Sequence, residues 1–198
     1  MDPNVIVNRV LRLARLDTSV FDEVRDDANE LVPAMIVAAI SFLLAGFGAF
    51  LFWEVADTSL EKSFLNALLF GTLFLIIMYV VAALAVYVVL AQVYRVTVDL
   101  QSLLRTMGYA ALPMALSVLM FVPVIYPLFA LAPLGLLLVF MIYAVQSASN
   151  AESNQVVIAS FVGFSVFILV LGLIAVSSSY PNVPIGAGAF GLLLDFSA

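Results

Sequence analysis

The sequence predicts an all-α fold: a polytopic integral membrane helical bundle of five transmembrane helices, the third and fourth forming a proline-broken hairpin, plus an N-terminal amphipathic interfacial helix. Three observations predict it. Of the 198 residues, 65% are hydrophobic and only 10% charged, whereas a soluble domain carries about 45–50% apolar and about 25% charged residues. The uncharged runs match or exceed the ~20 residues that cross a hydrocarbon core of about 30 Å. The charges gather in short stretches between those runs.

The same composition narrows function. The net charge of -6 comes largely from Asp22, Glu23, Asp26, Asp27 and Glu30, crowded into one segment, and no basic face exists for nucleic acid. Cysteine and histidine are absent, which removes disulfides, thiolate chemistry and the usual zinc spacings; no metal and no cofactor is expected. Asn8, Arg9, Arg12 and Arg15 interrupt what would have to be the apolar core of a signal peptide, so the first span is expected to act as the insertion signal.

The division expected is a cytoplasmic amphipathic and acidic segment over 1–30, a five-helix membrane domain over 31–177 and an external C-terminal tail over 178–198. Asn4 to Leu16 reads as an amphipathic helix, with Ile6, Val7, Val10, Leu11, Leu13 and Ala14 on one face and Asn8, Arg9, Arg12 and Arg15 on the other. Arginines above an aliphatic face suit a helix lying in the headgroup region; a soluble helix packed on the rest of the protein has the same pattern. Asp17 to Glu30 switches sign, and Ser19 is placed to cap a second short helix with Asp22 and Glu23 in its first turns.

Val32 to Phe52 is the first span, with Trp53 where an interfacial aromatic belongs. Ser41, Ala45 and Ala49 recur every fourth residue and form a helix-packing stripe, for an internal seam or for self-association; Ala38 is assigned to another face. Phe64 to Val93 is longer than a bilayer core requires, so it must tilt or project beyond the membrane. Tyr79 within it needs a hydrogen-bond partner, such as a backbone carbonyl of a neighbouring helix or a ligand. Between Arg105 and Glu152 the run is long enough for two spans, broken at Pro123-Val-Ile-Tyr-Pro127. The first arm, Gly108 to Val122, is short and contains Pro113; the second runs from Leu128 to about Gln146. A polar loop, Gln146 to Gln155, precedes the last span, Val156 to Val176. The tail after Ser177 is too short and too broken by Pro181, Pro184 and glycines to span.

Basic residues set orientation. Arg9, Arg12, Arg15, Arg25, Arg95 and Arg105 fall on one side of a five-span chain and Lys62 on the other, which predicts a multi-pass protein of the cell membrane with a cytoplasmic N-terminus and an external C-terminus. A proline hairpin that re-entered without crossing would put the C-terminus inside.

With its spans in order, the chain resembles the Yip domain family, the Ypt/Rab-GTPase-interacting membrane proteins, and in particular its short prokaryotic branch. The likeness covers nearly the whole chain. It rests on Leu16-Asp17 and Val20-Phe21-Asp22-Glu23-Val24 ahead of the first span, then on the long second span leading to Leu103-Leu104-Arg105-Thr106-Met107-Gly108-Tyr109-Ala110 with Pro113 following. Arg105, Gly108, Tyr109 and Pro113 carry the motif. The resemblance implies five helices, a cytoplasmic N-terminus and a non-enzymatic role in organising membranes or recruiting proteins. The Asp-Leu-Tyr-Gly-Pro motif of eukaryotic members is absent, so GTPase recruitment is not carried over, and Tyr143-Ala-Val-Gln146 stands where a glycine commonly ends the fourth helix.

The function expected is therefore a membrane-organising or protein-recruiting scaffold, with membrane lipids, other membrane proteins or a second copy as partners. The alternative is an accessory subunit of a larger membrane complex. A transporter or lipid-handling protein is a further class: ion pathways usually place ionisable residues inside spans and the core runs contain none, although Tyr79, Tyr87 and Tyr109 could line a lipid groove. An enzyme is not expected, because Ser41, Ser117, Ser160 and Ser165 have no base to activate them and no carboxylate lies at membrane depth. The Gly186, Gly188 and Gly191 cluster lacks the strand and helix context of a phosphate loop.

Overall fold

The computed structural model describes residues 3–55, 68–122 and 124–177, with the backbone alone for Trp53 and for 174–177. The expected interfacial role of the Trp53 side chain, the basic residue Lys62, Pro123 and the C-terminal tail lie outside what is described. Among the described residues seven α-helices run in order: α1 (Pro3–Ala14), α2 (Val20–Asp26), α3 (Leu31–Val55), α4 (Gly71–Val88), α5 (Leu100–Ala110), α6 (Tyr126–Ala148) and α7 (Ser153–Ser177). Among the described residues there is no strand, only an isolated antiparallel bridge between Val98 and Ser149. Five segments among the described residues are long and apolar enough to cross a membrane: Ala28–Phe52, Leu68–Val93, Leu100–Phe121, Tyr126–Ala148 and Ser153–Leu173. The five-span all-α class holds.

Local chemistry sets several of the boundaries. Asp27 accepts from the Asn29 amide at 3.0 Å and opens the turn that leads into α3. Asp99 caps α5, its carboxylate accepting from the Ser102 amide at 2.8 Å and the Ser102 hydroxyl at 2.9 Å, which satisfies a donor that a helix N-terminus leaves free. Ser19 precedes α2 as expected but caps nothing; its hydroxyl donates to Asp17 instead. At the far end of α4 the last turn widens to a π-helical form over Val89–Val93. The chain then turns away through Arg95, which adopts a left-handed backbone with φ 55°.

The third span differs from the expected short arm in its helix type. The helix begins earlier, at Leu100, and after Ala110 the chain continues as a 3-10 helix from Leu112 to Phe121. Pro113, in its first turn, has no N–H with which to continue an α-helical ladder, and the Met114 amide bonds back three residues to Ala111 at 3.0 Å. A 3-10 helix rises about 2.0 Å per residue against about 1.5 Å in an α-helix. Its ten residues thus advance about 20 Å, so a segment too short to cross as α-helix covers more of the membrane as 3-10. Such a run is long for this geometry, and it is held between α3 and α6, which are its main neighbours.

Close backbone approach builds the centre of the bundle. Ser41, Ala45 and Ala49 are all buried, on a helix whose principal contacts are the 3-10 segment and α5. A side chain at Gly48 would collide with the backbone of Ser117, and one at Gly108 would come within 2.7 Å of the Ala34 carbonyl. In a bilayer, small residues are what let helices meet, because no hydrophobic drive presses them together. Ala38 is buried as well, contrary to its assignment to another face. Seven residues turn through about 700°, which returns Ala38 to within about 20° of Ala45. Phe42, Tyr79 and Phe167 join α3, α4 and α7 through ring contacts of 5.2 to 6.4 Å. The Tyr79 hydroxyl finds a partner of the expected kind, donating to the Met107 carbonyl of α5 at 2.7 Å.

Candidate functional site

α1 and α2 form a polar cap with α5 over one end of the bundle. α2 is amphipathic over only seven residues, and its apolar side (Val20, Phe21 and Val24) is fully buried, with Phe21 set edge-on to Phe140 of α6 at 6.1 Å. Its polar side reaches the last turn of α6, where the Ser147 hydroxyl donates to Asp22 at 2.7 Å and Arg25 donates to the Ser147 carbonyl at 3.1 Å. Arg105 of α5 donates in turn to the Arg25 carbonyl at 2.7 Å and to the Ser102 hydroxyl at 2.8 Å. With the Val98 to Ser149 bridge, these contacts gather the N-terminal segment, the α4–α5 loop and the α6–α7 loop at the same end of the bundle.

At the heart of the cap is a buried charge. Glu30, at the entrance to the first span, is 7% exposed. One carboxylate oxygen accepts from the Tyr109 hydroxyl at 2.8 Å, and the other pairs with the Arg9 guanidinium. The Arg9 side chain is itself only 11% exposed and approaches Glu23 at 3.7 Å. Burying a charge is costly unless it is paired; here cation, carboxylate and phenol come from α1, the α3 entrance and α5, so pairing the charge also fixes three segments to one another.

The arginines selected from the sequence are thus divided. Arg9 faces inward to Glu30. Arg12 meets Asp17 at 2.8 Å, Glu23 at 2.7 Å and the Ser19 hydroxyl at 2.9 Å, and hydrogen bonds from Ser19 and Arg12 hold the Asp17 carboxyl below its ordinary range. Arg15 is exposed, with no ion pair among the described residues. The apolar face of α1 divides too: Leu13 is buried, while Val7 and Leu11 are more than half exposed. The motif residues converge on the cap, with Arg105 holding the α2 C-terminus, Gly108 against Ala34, Tyr109 on Glu30, and Pro113 opening the 3-10 segment. Sequence reasoning misses Glu30 as a site residue because it closes an acidic run that reads as a solvated face. Its signal is position, at the edge of an uncharged run, which it shares with Glu54 and Glu152.

Two apolar grooves open on the side of the bundle. One, of about 240 Å³, lies among α3, α4 and α5 and includes Ala38, Phe42, Tyr79 and Gly108. The other, of about 210 Å³, lies beneath the end of α1 against the start of the 3-10 segment and α6. Neither holds a pairing of nucleophile and base, and no cluster of metal-ligating side chains occurs among the described residues.

This architecture, five apolar spans under a polar cap, defines a multi-pass α-helical membrane protein. A family model, the Yip1 domain, matches residues 17–176, and the chain belongs to that family of non-catalytic membrane proteins. Neither a curated protein nor a solved structure matches the chain.

Proposed function

We propose that the protein is a non-enzymatic scaffold of the cell membrane that organises membrane or recruits proteins through its cap. The N-terminal segment is cytoplasmic and the tail after residue 177 external. What carries this reading is the ordered cap: α1 and α2 are fastened by buried and exposed ion pairs, yet Asp22 and Asp26 keep side-chain exposures of 62% and 69%. A short segment anchored so firmly offers a fixed acidic surface to a basic partner at low ordering cost. The helix-packing stripe serves the internal seam that holds the platform, and Arg15 serves the membrane interface.

The test is affinity purification of the full chain from native membranes, comparing wild type with the double variant Asp22→Asn and Asp26→Asn. The reading expects a co-purifying protein that elutes at raised salt and is lost from the double variant. A stoichiometric integral partner that stays with both forms would make the protein an accessory subunit instead, and a chain that purifies alone in both forms would remove the recruiting role.

A further inference from the structure

We propose that the groove beneath the end of α1 binds one anionic phospholipid, with its phosphate on Arg15 and an acyl chain between the 3-10 segment and α6. This goes beyond the recruiting role and does not rest on it. The groove is lined by Leu13, Leu16, Leu112, Leu116, Leu136 and Phe140 among other small and apolar residues, and its wall is almost wholly nonpolar. It opens to the side, since Leu16, Leu116 and Leu136 are 68%, 43% and 36% exposed. Its depth follows from the cap. Tyr109 bonds Glu30 at the entrance to the first span, and Leu112 follows three residues later, so the groove begins just inside the level where the first span begins. An acyl chain leaves its phosphate at that level.

Charge selects the headgroup. Arg9, Arg12 and Arg25 are each occupied by carboxylates of the cap and Arg105 by the Arg25 carbonyl and Ser102, which leaves Arg15, just after α1, and Arg95, in the α4–α5 loop, as exposed arginines with no ion pair among the described residues; of the two, Arg15 is the one beside this groove. It stands between Ala14 and Leu16, both of which line the groove. Leu16 itself holds a left-handed backbone, φ 63°, at the position after a helix where glycine or asparagine is usual; a leucine there presents its side chain at the mouth of the groove. A cation beside an apolar slot that faces hydrocarbon matches a phosphate joined to an acyl chain, and matches neither a free anion nor a neutral lipid as well.

The experiment is native mass spectrometry of the full-length protein in mild detergent, titrated with dioleoyl phosphatidylglycerol or dioleoyl phosphatidylcholine. The expected result is a single tightly held phosphatidylglycerol, favoured over phosphatidylcholine by about fivefold, the worth of one arginine near an anionic surface. Arg15→Gln should abolish that preference while leaving the melting temperature unchanged, since Arg15 has no internal ion pair to lose. Leu116→Trp, or Leu136→Trp from the opposite wall, should weaken retention of both lipids, and millimolar inorganic phosphate should displace neither. The proposal is overturned if Arg15→Gln keeps the preference, if both tryptophan variants retain lipid like wild type, or if inorganic phosphate competes.

Discussion

Tyr109 donates its hydroxyl to Glu30 at 2.8 Å across 79 residues of sequence, and the opposite oxygen of the same carboxylate pairs with Arg9. The two partners do not contribute alike. Removing the carboxylate leaves a guanidinium whose side chain is only 11% exposed with Glu23, at 3.7 Å, as its remaining carboxylate, whereas removing the phenol leaves the Arg9–Glu30 pair intact with one acceptor unfilled.

Stability in detergent should separate these cases. Glu30→Ala is expected to cost about 3 kcal/mol, the lower end of the penalty for breaking a buried pair because Glu23 stays near Arg9, and Tyr109→Phe about 1 kcal/mol for one unfilled acceptor of a carboxylate that keeps its ion pair. Replacing Arg9 and Glu30 together by Met and Gln should recover much of the loss, because no unpaired charge remains. Thermal unfolding of the purified full chain measures all three. Equal losses for the two single variants would show that Glu30 is solvated and that the cluster is not a fastening.

Acid should loosen the cap before it disturbs the spans. Asp17 is held below the ordinary aspartate value of 3.8 by hydrogen bonds from Ser19 and then Arg12, and Asp26 below it by Arg25. A carboxylate whose folded value is depressed contributes stability above its unfolded pKa and loses that contribution as pH falls through the folded value. Protection of α1 and α2 against hydrogen exchange, taken relative to the intrinsic amide rate at each pH, should therefore fall below about pH 4, while α3, α4 and α7 stay protected. Protection factors in α1 and α2 that stay constant between about pH 6 and about pH 3 would show that these pairs contribute nothing to docking.

Much of this architecture is written in hydrophobic runs, because in a bilayer an uncharged stretch of sufficient length has few alternatives to a helix. The spans, the proline break and the need of Tyr79 for a carbonyl are legible for that reason. The cap is not. Arg9 and Glu30 lie 21 residues apart, the first on a helix that reads as headgroup-facing and the second in an acidic run, and only the fold reveals that Arg9 turns inward while Arg15, just after α1, stays out. The 3-10 run is hidden because Pro113 announces a break without saying which helix continues beyond it. Ala38 is legible and yet misassigned, since the 3.6-residue period places it with Ala45.

Glycine substitutions test the seam. A methyl group at Gly108 would meet the Ala34 backbone at 2.7 Å, which neither helix can relieve by rotating a side chain, so Gly108→Ala should cost about 1–3 kcal/mol. A methyl group at Gly135, on α6, would have nothing within 4 Å, and Gly135→Ala should be neutral or stabilise by up to about 1 kcal/mol through helix propensity. Ala45→Leu should resemble Gly108→Ala, because Ala45 is fully buried, whereas Ala38 borders the groove among α3, α4 and α5, and Ala38→Leu should cost less. Melting temperatures that do not distinguish Gly108→Ala from Gly135→Ala would remove α3–α5 contact as a determinant of the fold.

Orientation is tested most directly by labelling, because the chain has no cysteine of its own. Ser149 is a poor reporter, being 8% exposed with its hydroxyl bonded to the Val145 carbonyl, so the probe belongs at its exposed neighbour Asn150. Six arginines, Arg9, Arg12, Arg15, Arg25, Arg95 and Arg105, share the end of the bundle that holds this loop, and short loops rich in arginine remain cytoplasmic. Asn150→Cys in intact cells should therefore resist a membrane-impermeant maleimide until the membrane is opened, as should a cysteine placed at Asn4, while Ala198→Cys should react at once. Labelling of Asn150→Cys and Asn4→Cys from outside would invert the orientation and leave five spans intact. Ala198→Cys and Asn150→Cys reporting the same side would instead mean that the last span does not cross, against its length and apolar composition.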